Sequence, residues 1–412
     1  MEDEKGDRMA RVVFVHPDLG IGGAERLVVD AAVAVQAAGH HVTVWTSHHD
    51  PRHAFPETTD GSLRVVTAGD WLPRSVLGRA VALCAYLRMA YLALYVALLS
   101  GEVYDVAFCD QVSACVPLLR LRNTARVIFY CHFPDLLLSR HDSRLRRLYR
   151  GPIDWLEERT TAAADLLLVN SKFTANVLRE TFPSLARSFP EVVYPCVDAT
   201  HLREGLPADL PAQVPRGNTA LFLSVNRYER KKALGLALEA VAELRDMLSP
   251  AEWAKVHLVQ AGGFDPRLPE NAEVFAELTD LASSLHLSGS VTLLRSPSEQ
   301  VKRALFAAAT AVVYTPSREH LGIVPLEAMA AGKPVVAVSS GGPCETVAHG
   351  VTGLLCPPEP KAFADALLRL LRDPDLVHTM GRAGQERVAA RFSPDAFCRR
   401  LDALVQTCCA RG

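Results

Sequence analysis

Two doubly wound α/β domains, Rossmann-like in build and facing across a cleft, are the fold the sequence predicts. Three observations predict it. Arg11 to Val15 is an apolar strand run that passes through a glycine-bearing loop into an apolar-periodic helix from Arg26 to Ala38. Ala220 to Val225 opens the same way, and Val256 to Gln260 with Ala261-Gly262-Gly263 repeats strand-then-glycine. In such units ligands bind at the carboxyl ends of the strands. Between the two halves, residues 198–217 form a Pro-, Asp- and Glu-containing stretch suited to a domain boundary. The expected division is 1–205, 216–392, and a terminal helix over 393–412.

The totals agree with a two-domain globular protein. A chain of 412 residues is long enough for roughly two domains of about 150 residues or more. Its 49% apolar and 22% charged content excludes disorder, and a net charge of −2 argues against a nucleic-acid binder. Ten cysteines without a C-x-x-C pair are the thiol usage of a cytosol-facing protein. Met1 to Arg8 is charged and lacks the apolar core of a signal peptide.

The first loop, His16 to Glu25, carries Gly20, Gly22 and Gly23, but Glu25 stands where a dinucleotide fingerprint needs its third glycine. Gly22 and Gly23 are therefore candidates for close ligand approach at a helix start, with a plain tight turn as the alternative. Val42 to Thr46 is the second strand; His48, His49, Asp50 and His53 after it match no common zinc spacing and read as a polar loop. Residues 76–99 are a long apolar stretch interrupted by Arg79 and Arg88. A helix lying on a membrane surface, with Tyr86, Tyr91 and Tyr95 near the headgroups, is one reading. A helix packed on the domain's own sheet is the other. Val103 to Cys109 and Val127 to Tyr130 are further strands, and the second delivers His132 to the ligand side of the sheet. Arg140, Arg144, Arg146, Arg147 and Arg150 follow, either as a solvated helix face or as a contact for phosphate. Leu166 to Asn170 is a strand, with Ser171 as cap of the next helix.

In the second half, Arg227, Arg230, Lys231 and Lys232 precede the helix Leu234 to Leu248, where cations oppose the helix dipole. A diphosphate would explain them, with Arg227 gripping bidentately and Lys232 adding a point charge. The stretch Tyr314 to Glu345 reads as strand, loop, short helix, strand and loop. It sets Glu319 in the loop and Glu327 in the helix, flanking Gly322 and a helix N-terminus. That offers an anion site with hydroxyl acceptors beside it. Asp373 and Asp375 around Pro374 read as a helix cap, not a metal motif.

Glu319-x7-Glu327, Arg227-x4-Lys232 and the Gly22-Gly23-Ala24-Glu25 loop together resemble the retaining, nucleotide-sugar-dependent glycosyltransferases of GT-B architecture, over nearly the full length. Longer words are similar to the mannosyltransferases of dolichol-linked oligosaccharide assembly: His16 to Gly20, Cys109 to Cys115, Tyr130 to Leu138 and Asn226 to Lys232. The resemblance implies a first domain for the acceptor, a second for the donor, GDP-mannose, and a C-terminal helix returning to the first. It implies transfer of two mannoses, α-1,3 then α-1,6, to Man1GlcNAc2-diphosphate-dolichol at the cytosolic face of the endoplasmic reticulum membrane, beside other enzymes of the same pathway.

By the same resemblance, His132, Arg227, Lys232 and Glu319 are the expected catalytic residues. Gly22, Gly23, Gly262, Gly263, His320, Leu321, Gly322, Ile323 and Glu327 would line the donor, with Glu327 on the ribose. No carboxylate pair stands out for double displacement, so a front-face mechanism is expected, with no obligatory metal or other cofactor. Ala233 and Leu321 depart from the wider pattern, which implies altered donor fit. The alternatives are a hexosyltransferase using UDP-glucose or UDP-N-acetylglucosamine, and a non-catalytic nucleotide-sugar-binding scaffold.

Overall fold

The computed structural model describes residues 9–76, 80–121, 125–139, 144–199, 210–217 and 219–410. Arg79, Arg140, the charged N-terminus and residues 200–209 of the expected boundary lie outside them. The chain forms two compact units. One comprises residues 1–196 with 394–412, and the other residues 197–393. The division falls at Cys196 and Val197, a few residues before the sequence places it.

The first unit holds a parallel sheet of seven strands: β1 (Arg11–His16), β2 (His41–Thr46), β3 (Val65–Thr67), β4 (Val106–Asp110), β5 (Arg126–Cys131), β6 (Leu166–Val169) and β7 (Glu191–Val192). Their order is β3-β2-β1-β4-β5-β6-β7. The central strands are near-continuous apolar runs because helices cover both faces. On one face Phe14, Phe108 and Tyr130 pack under the helix Gly23–Ala37, together with Phe397, Leu401 and Leu404 of the helix Pro394–Ala410. The terminal helix thus belongs to the first unit, and His40 is held 2.9 Å from Asp402 on it. On the other face Val13, Cys109 and Phe129 pack under the helix Val81–Leu94, which runs into a π turn over Tyr95–Leu99.

Within the apolar segment, residues 81–99 are therefore a sheet-packed helix on one side. Tyr86, Met89, Leu92 and Val96 are core residues, which corrects the placement of Tyr86 at headgroups. Arg88 is buried as well, and its guanidinium donates to the carbonyls of Leu72 and Ser47. Those acceptors offset the cost of burying it. The other side is exposed leucine: Leu83, Leu87, Leu94 and Leu98 recur on one stripe, with Leu87 56% and Leu98 62% exposed.

The second unit holds a parallel sheet of six strands in the order β10-β9-β8-β11-β12-β13. These are β8 (Ala220–Val225), β9 (Val256–Gly262), β10 (Val291–Arg295), β11 (Ala311–Tyr314), β12 (Val335–Val338) and β13 (Gly353–Cys356). Its core joins Phe222, Leu258, Val313 and Val336 to the helices Gly235–Asp246 and Pro360–Arg372. Asp373 caps the helix Pro374–Arg391 by accepting from the Leu376 N–H at 2.9 Å, as a cap should.

Candidate active site

In the second unit the carboxyl ends of β8, β9, β11 and β12 bring together most of the expected donor residues. β8 ends at Val225, and Asn226 to Lys232 follow as loop and a single 3-10 turn. Lys232 Nζ lies 2.7 Å from Glu319 Oε1, and the Thr315 hydroxyl donates to the Lys232 carbonyl at 2.7 Å, so both ends of Lys232 are fixed by the loop after β11. The cation and the carboxylate come from segments 87 residues apart. Arg227 remains well exposed, with NH1 3.0 Å from Glu229 Oε1. Arg230 points away, paired with Glu273 and Glu277 at 2.6 Å each. Of the four basic residues here, Lys232 is thus the one the fold holds against the Glu319 loop.

The loop itself is built by glycine. Gly322 at φ 84° begins the helix Ile323–Ala330, a left-handed turn that a side chain would disfavour. Gly341 and Gly342, after β12, lie directly under the loop: a Cβ on Gly341 would sit 2.5 Å from the Glu319 carbonyl, and one on Gly342 2.3 Å from the Leu321 Cα. The Gly342 N–H donates to the Glu319 carbonyl at 2.7 Å. Leu321 is buried and Ile323 exposed. Glu327, one helical turn on, has Oε1 2.8 Å from Lys302 Nζ. Tyr314, at the end of β11, joins the two carboxylates. Its phenol pKa is raised by burial, then by the charge of Glu319, a hydrogen bond to it, and the charge of Glu327.

Gly262 and Gly263 serve packing. A Cβ on Gly262 would sit 1.8 Å from the Asn226 carbonyl oxygen, so the β8 loop occupies that space; Gly263 lies under the Arg227 side chain and accepts from the Tyr228 N–H. Position 233 likewise has a backbone role. Ala233 adopts the left-handed region at φ 47°, which a side chain disfavours.

In the first unit the expected His132 meets two further residues at strand ends. Asp110, fully buried at the end of β4, accepts from His16 Nδ1 at 2.7 Å and His132 Nε2 at 2.9 Å. Burial would raise the Asp110 pKa, but the charge of His16 and the hydrogen bonds from both rings outweigh it and hold the carboxyl low. Burial likewise opposes protonation of His16, and Asp110 and Glu25 outweigh it. The Gly22 site is spoken for: a Cβ there would meet Glu25 Oε2 at 2.2 Å, whereas nothing lies within 4 Å of a Cβ on Gly23.

The loop after His132 is braced from below. The buried Glu157 accepts from the backbone N–H groups of Asp135 and Leu136 at 2.7 and 3.0 Å, and burial pushes its pKa up to about 7. Arg150 pairs with Asp135 and Asp154 at 2.7 and 2.8 Å, so this arginine braces the loop and is not part of an exposed phosphate contact. The His48 segment is a polar loop, with His48 2.8 Å from Asp70 and His49 3.0 Å from the Thr58 hydroxyl.

Sequence reasoning missed Asp110, His16, Glu157, Lys302, Thr315 and the steric role of Gly341 and Gly342. For Asp110, His16, Thr315 and the two glycines the signal was position at strand ends, which becomes specific only when strand order is known; Glu157 and Lys302 lie within helices and gave none.

Parallel sheets with glycine-built loops at their carboxyl ends, and a Lys232–Glu319 pair over a helix start, define a glycosyltransferase of the GT-B class. Residues 21–201 match the family described as Glycosyltransferase Family 4, and residues 208–387 match Glycosyl transferases group 1. Among solved structures, a sucrose-phosphate synthase from Thermosynechococcus elongatus superposes with a TM-score of 0.71 at 22% identity, covering 98% of this chain and 100% of the other. Anabaena Alr3699/HepE in complex with UDP and glucose does so with a TM-score of 0.67 at 19% identity, covering 97% and 100%. These establish the fold.

The chain belongs to the ALG2 family of alpha-1,3/1,6-mannosyltransferases. It is 53% identical to the Homo sapiens member over 95% of this chain and 94% of that one. Identity is 41% to the Dictyostelium discoideum member, over 98% and 99%. To the Saccharomyces cerevisiae member it is 38%, over 96% and 84%.

Proposed function

We propose that the chain transfers two mannoses from GDP-mannose to Man1GlcNAc2-diphosphate-dolichol, first α-1,3 and then α-1,6, giving the Man3GlcNAc2 intermediate of N-glycan precursor assembly. Membership of the mannosyltransferase family supports the reaction. The observation that carries the chemistry is the Lys232 ammonium at 2.7 Å from Glu319 beside the start of the helix Ile323–Ala330. A cation and a helix N-terminus together suit a diphosphate, and the neighbouring carboxylate suits sugar hydroxyls.

In this reading Lys232, Arg227 and the N–H groups following Glu319 hold the diphosphate. Glu319 accepts from mannose hydroxyls and Glu327 from the ribose. The bond from the mannose C1 to the phosphate oxygen breaks as the acceptor oxygen bonds C1 on the same face. The acceptor's proton passes to the departing phosphate oxygen. Catalysis is then positioning plus stabilisation of charge on the leaving diphosphate. Lys232 and Arg227 supply the countercharge a metal would otherwise give, so no cofactor is required.

The first unit presents the acceptor, with His132 beside the reacting sugar. The exposed Leu83, Leu87, Leu94 and Leu98 stripe supports contact with the endoplasmic reticulum membrane from its cytosolic face, where a dolichol-linked acceptor resides. The chemical test is a donor panel of GDP-mannose, UDP-glucose and UDP-N-acetylglucosamine on the lipid-linked acceptor in excess EDTA. Transfer from GDP-mannose alone, undiminished by the chelator, is expected. Preference for a UDP-sugar would overturn the donor assignment, and abolition by EDTA would overturn the metal-free mechanism.

A further inference from the structure

The His16–Asp110–His132 cluster is more ordered than the proposed chemistry has used. Three adjacent strands build it: β1 ends at His16, β4 at Asp110, and β5 runs into His132. Parallel register puts Val15 beside Cys109 and Asp110 beside Tyr130, so the three side chains meet at the carboxyl end of the central strands. His16 and Asp110 have no solvent exposure, whereas the His132 side chain is 24% exposed.

A buried ionised carboxylate only accepts hydrogen bonds. Asp110 takes one from each ring, through His16 Nδ1 at 2.7 Å and His132 Nε2 at 2.9 Å. Both facing nitrogens therefore carry protons. When His132 is neutral its Nδ1 is left as an acceptor. The His132 backbone is also fixed, because Asn170 Nδ2 donates to its carbonyl at 2.9 Å, and the ring lies 4.9 Å from that of Tyr130.

We infer that Asp110 is a positioning residue for the transfer reaction, braced by His16, which sets the His132 ring so that Nδ1 accepts from a hydroxyl of the reacting sugar. This rests on the reading of His132 as a group that touches that sugar. His16 acts one step further back. Its Nδ1 proton occupies Oδ1 of Asp110 and leaves Oδ2 for His132, while its buried Nε2, without a hydrogen-bond partner, faces Glu25 Oε1 at 4.0 Å. Gly22 leaves the space into which the Glu25 carboxylate folds. A carboxylate at each side of His16 favours its cationic form, which balances the charge of Asp110.

The test is a double-mutant cycle on the full chain with GDP-mannose and a lipid-linked acceptor. An asparagine at 110 has one accepting oxygen, so it must turn one ring or change its tautomer. Asp110→Asn and His132→Ala should each lower kcat about tenfold, the scale of one lost hydrogen bond to substrate. KM for GDP-mannose should stay within about twofold, and the double variant should be no worse than His132→Ala.

Independent, multiplying losses, or wild-type kcat in Asp110→Asn, would overturn the inference while leaving the His132 reading intact. Wild-type kcat in His132→Ala would overturn both. If Asp110→Asn does not fold, His16 decides. His16→Asn keeps a donor toward Asp110 and should retain most activity, whereas His16→Leu should fall about as far as His132→Ala. Equal activity in those two variants would contradict the brace.

Discussion

Lys232 and Glu319 hold each other at 2.7 Å with only 11 and 23% of their side chains exposed, so removing one leaves the other poorly compensated. Lys232→Ala is expected to lower kcat by about tenfold or more, the loss of one charge-assisted contact to a developing anion. Steady-state kinetics with GDP-mannose checks it, and turnover near wild type would remove Lys232 from the diphosphate site. One residue further, Ala233 stands in the left-handed region at φ 47°. A glycine there would relieve roughly 1 kcal/mol of backbone strain and return part of it as unfolded-state entropy. Ala233→Gly should therefore raise Tm by about one or two degrees, read by thermal melting. A lowered Tm would show that the methyl packs. The carboxylates and cations of the donor side were legible because their spacing, Arg227-x4-Lys232 and Glu319-x7-Glu327, is a sequence property. Asp110 was not, since its value lies in meeting His16 from 94 residues away and His132 from 22.

At the scale of elements, the segment after β5 is held by a buried acid. Glu157 accepts two backbone N–H groups there, while burial pushes its pKa to about 7, above the ordinary carboxylate range. A carboxyl raised in the folded state binds its proton more tightly folded than unfolded. Its contribution to stability is then present in acid and is lost as pH rises toward and through about 7. Wild-type Tm should fall between pH 5 and pH 8 by more than that of Glu157→Gln, which cannot ionise. Parallel curves for the two would contradict the shift.

The helix Val81–Leu94 offers a second test. Its length and apolarity suggested a membrane in the sequence, but Arg88 and Tyr86 turn inward onto the sheet and only one stripe of leucines faces out. That distinction depends on which face meets the core, and a segment apolar all round does not reveal it. Replacing exposed Leu87 and Leu94 with lysine should reduce sedimentation with neutral phospholipid vesicles several-fold at unchanged Tm. Undiminished vesicle binding would move the membrane contact elsewhere.

For the whole molecule, two α/β units and their glycine-bearing strand ends could be read from the chain because parallel strands buried on both faces leave continuous apolar runs. The return of the terminal helix Pro394–Ala410 to the first unit follows from Phe397, Leu401, Leu404 and Val405, whose spacing marks one apolar face that the helix Gly23–Ala37 covers. The domain edge at Cys196 and Val197 was less legible, since the compositional shift lies in the linker beyond it. In the proposed reaction, residues of the second unit hold the nucleotide sugar and residues of the first set His132. In the same proposed reaction one chain makes both linkages. The test is purified protein with GDP-mannose and Man1GlcNAc2-diphosphate-lipid, with mass and linkage read on the product. Two added mannoses, one α-1,3 and one α-1,6, are expected from the wild type, and strongly reduced product from Lys232→Ala. A single added hexose, or none, from the wild-type chain would contradict it.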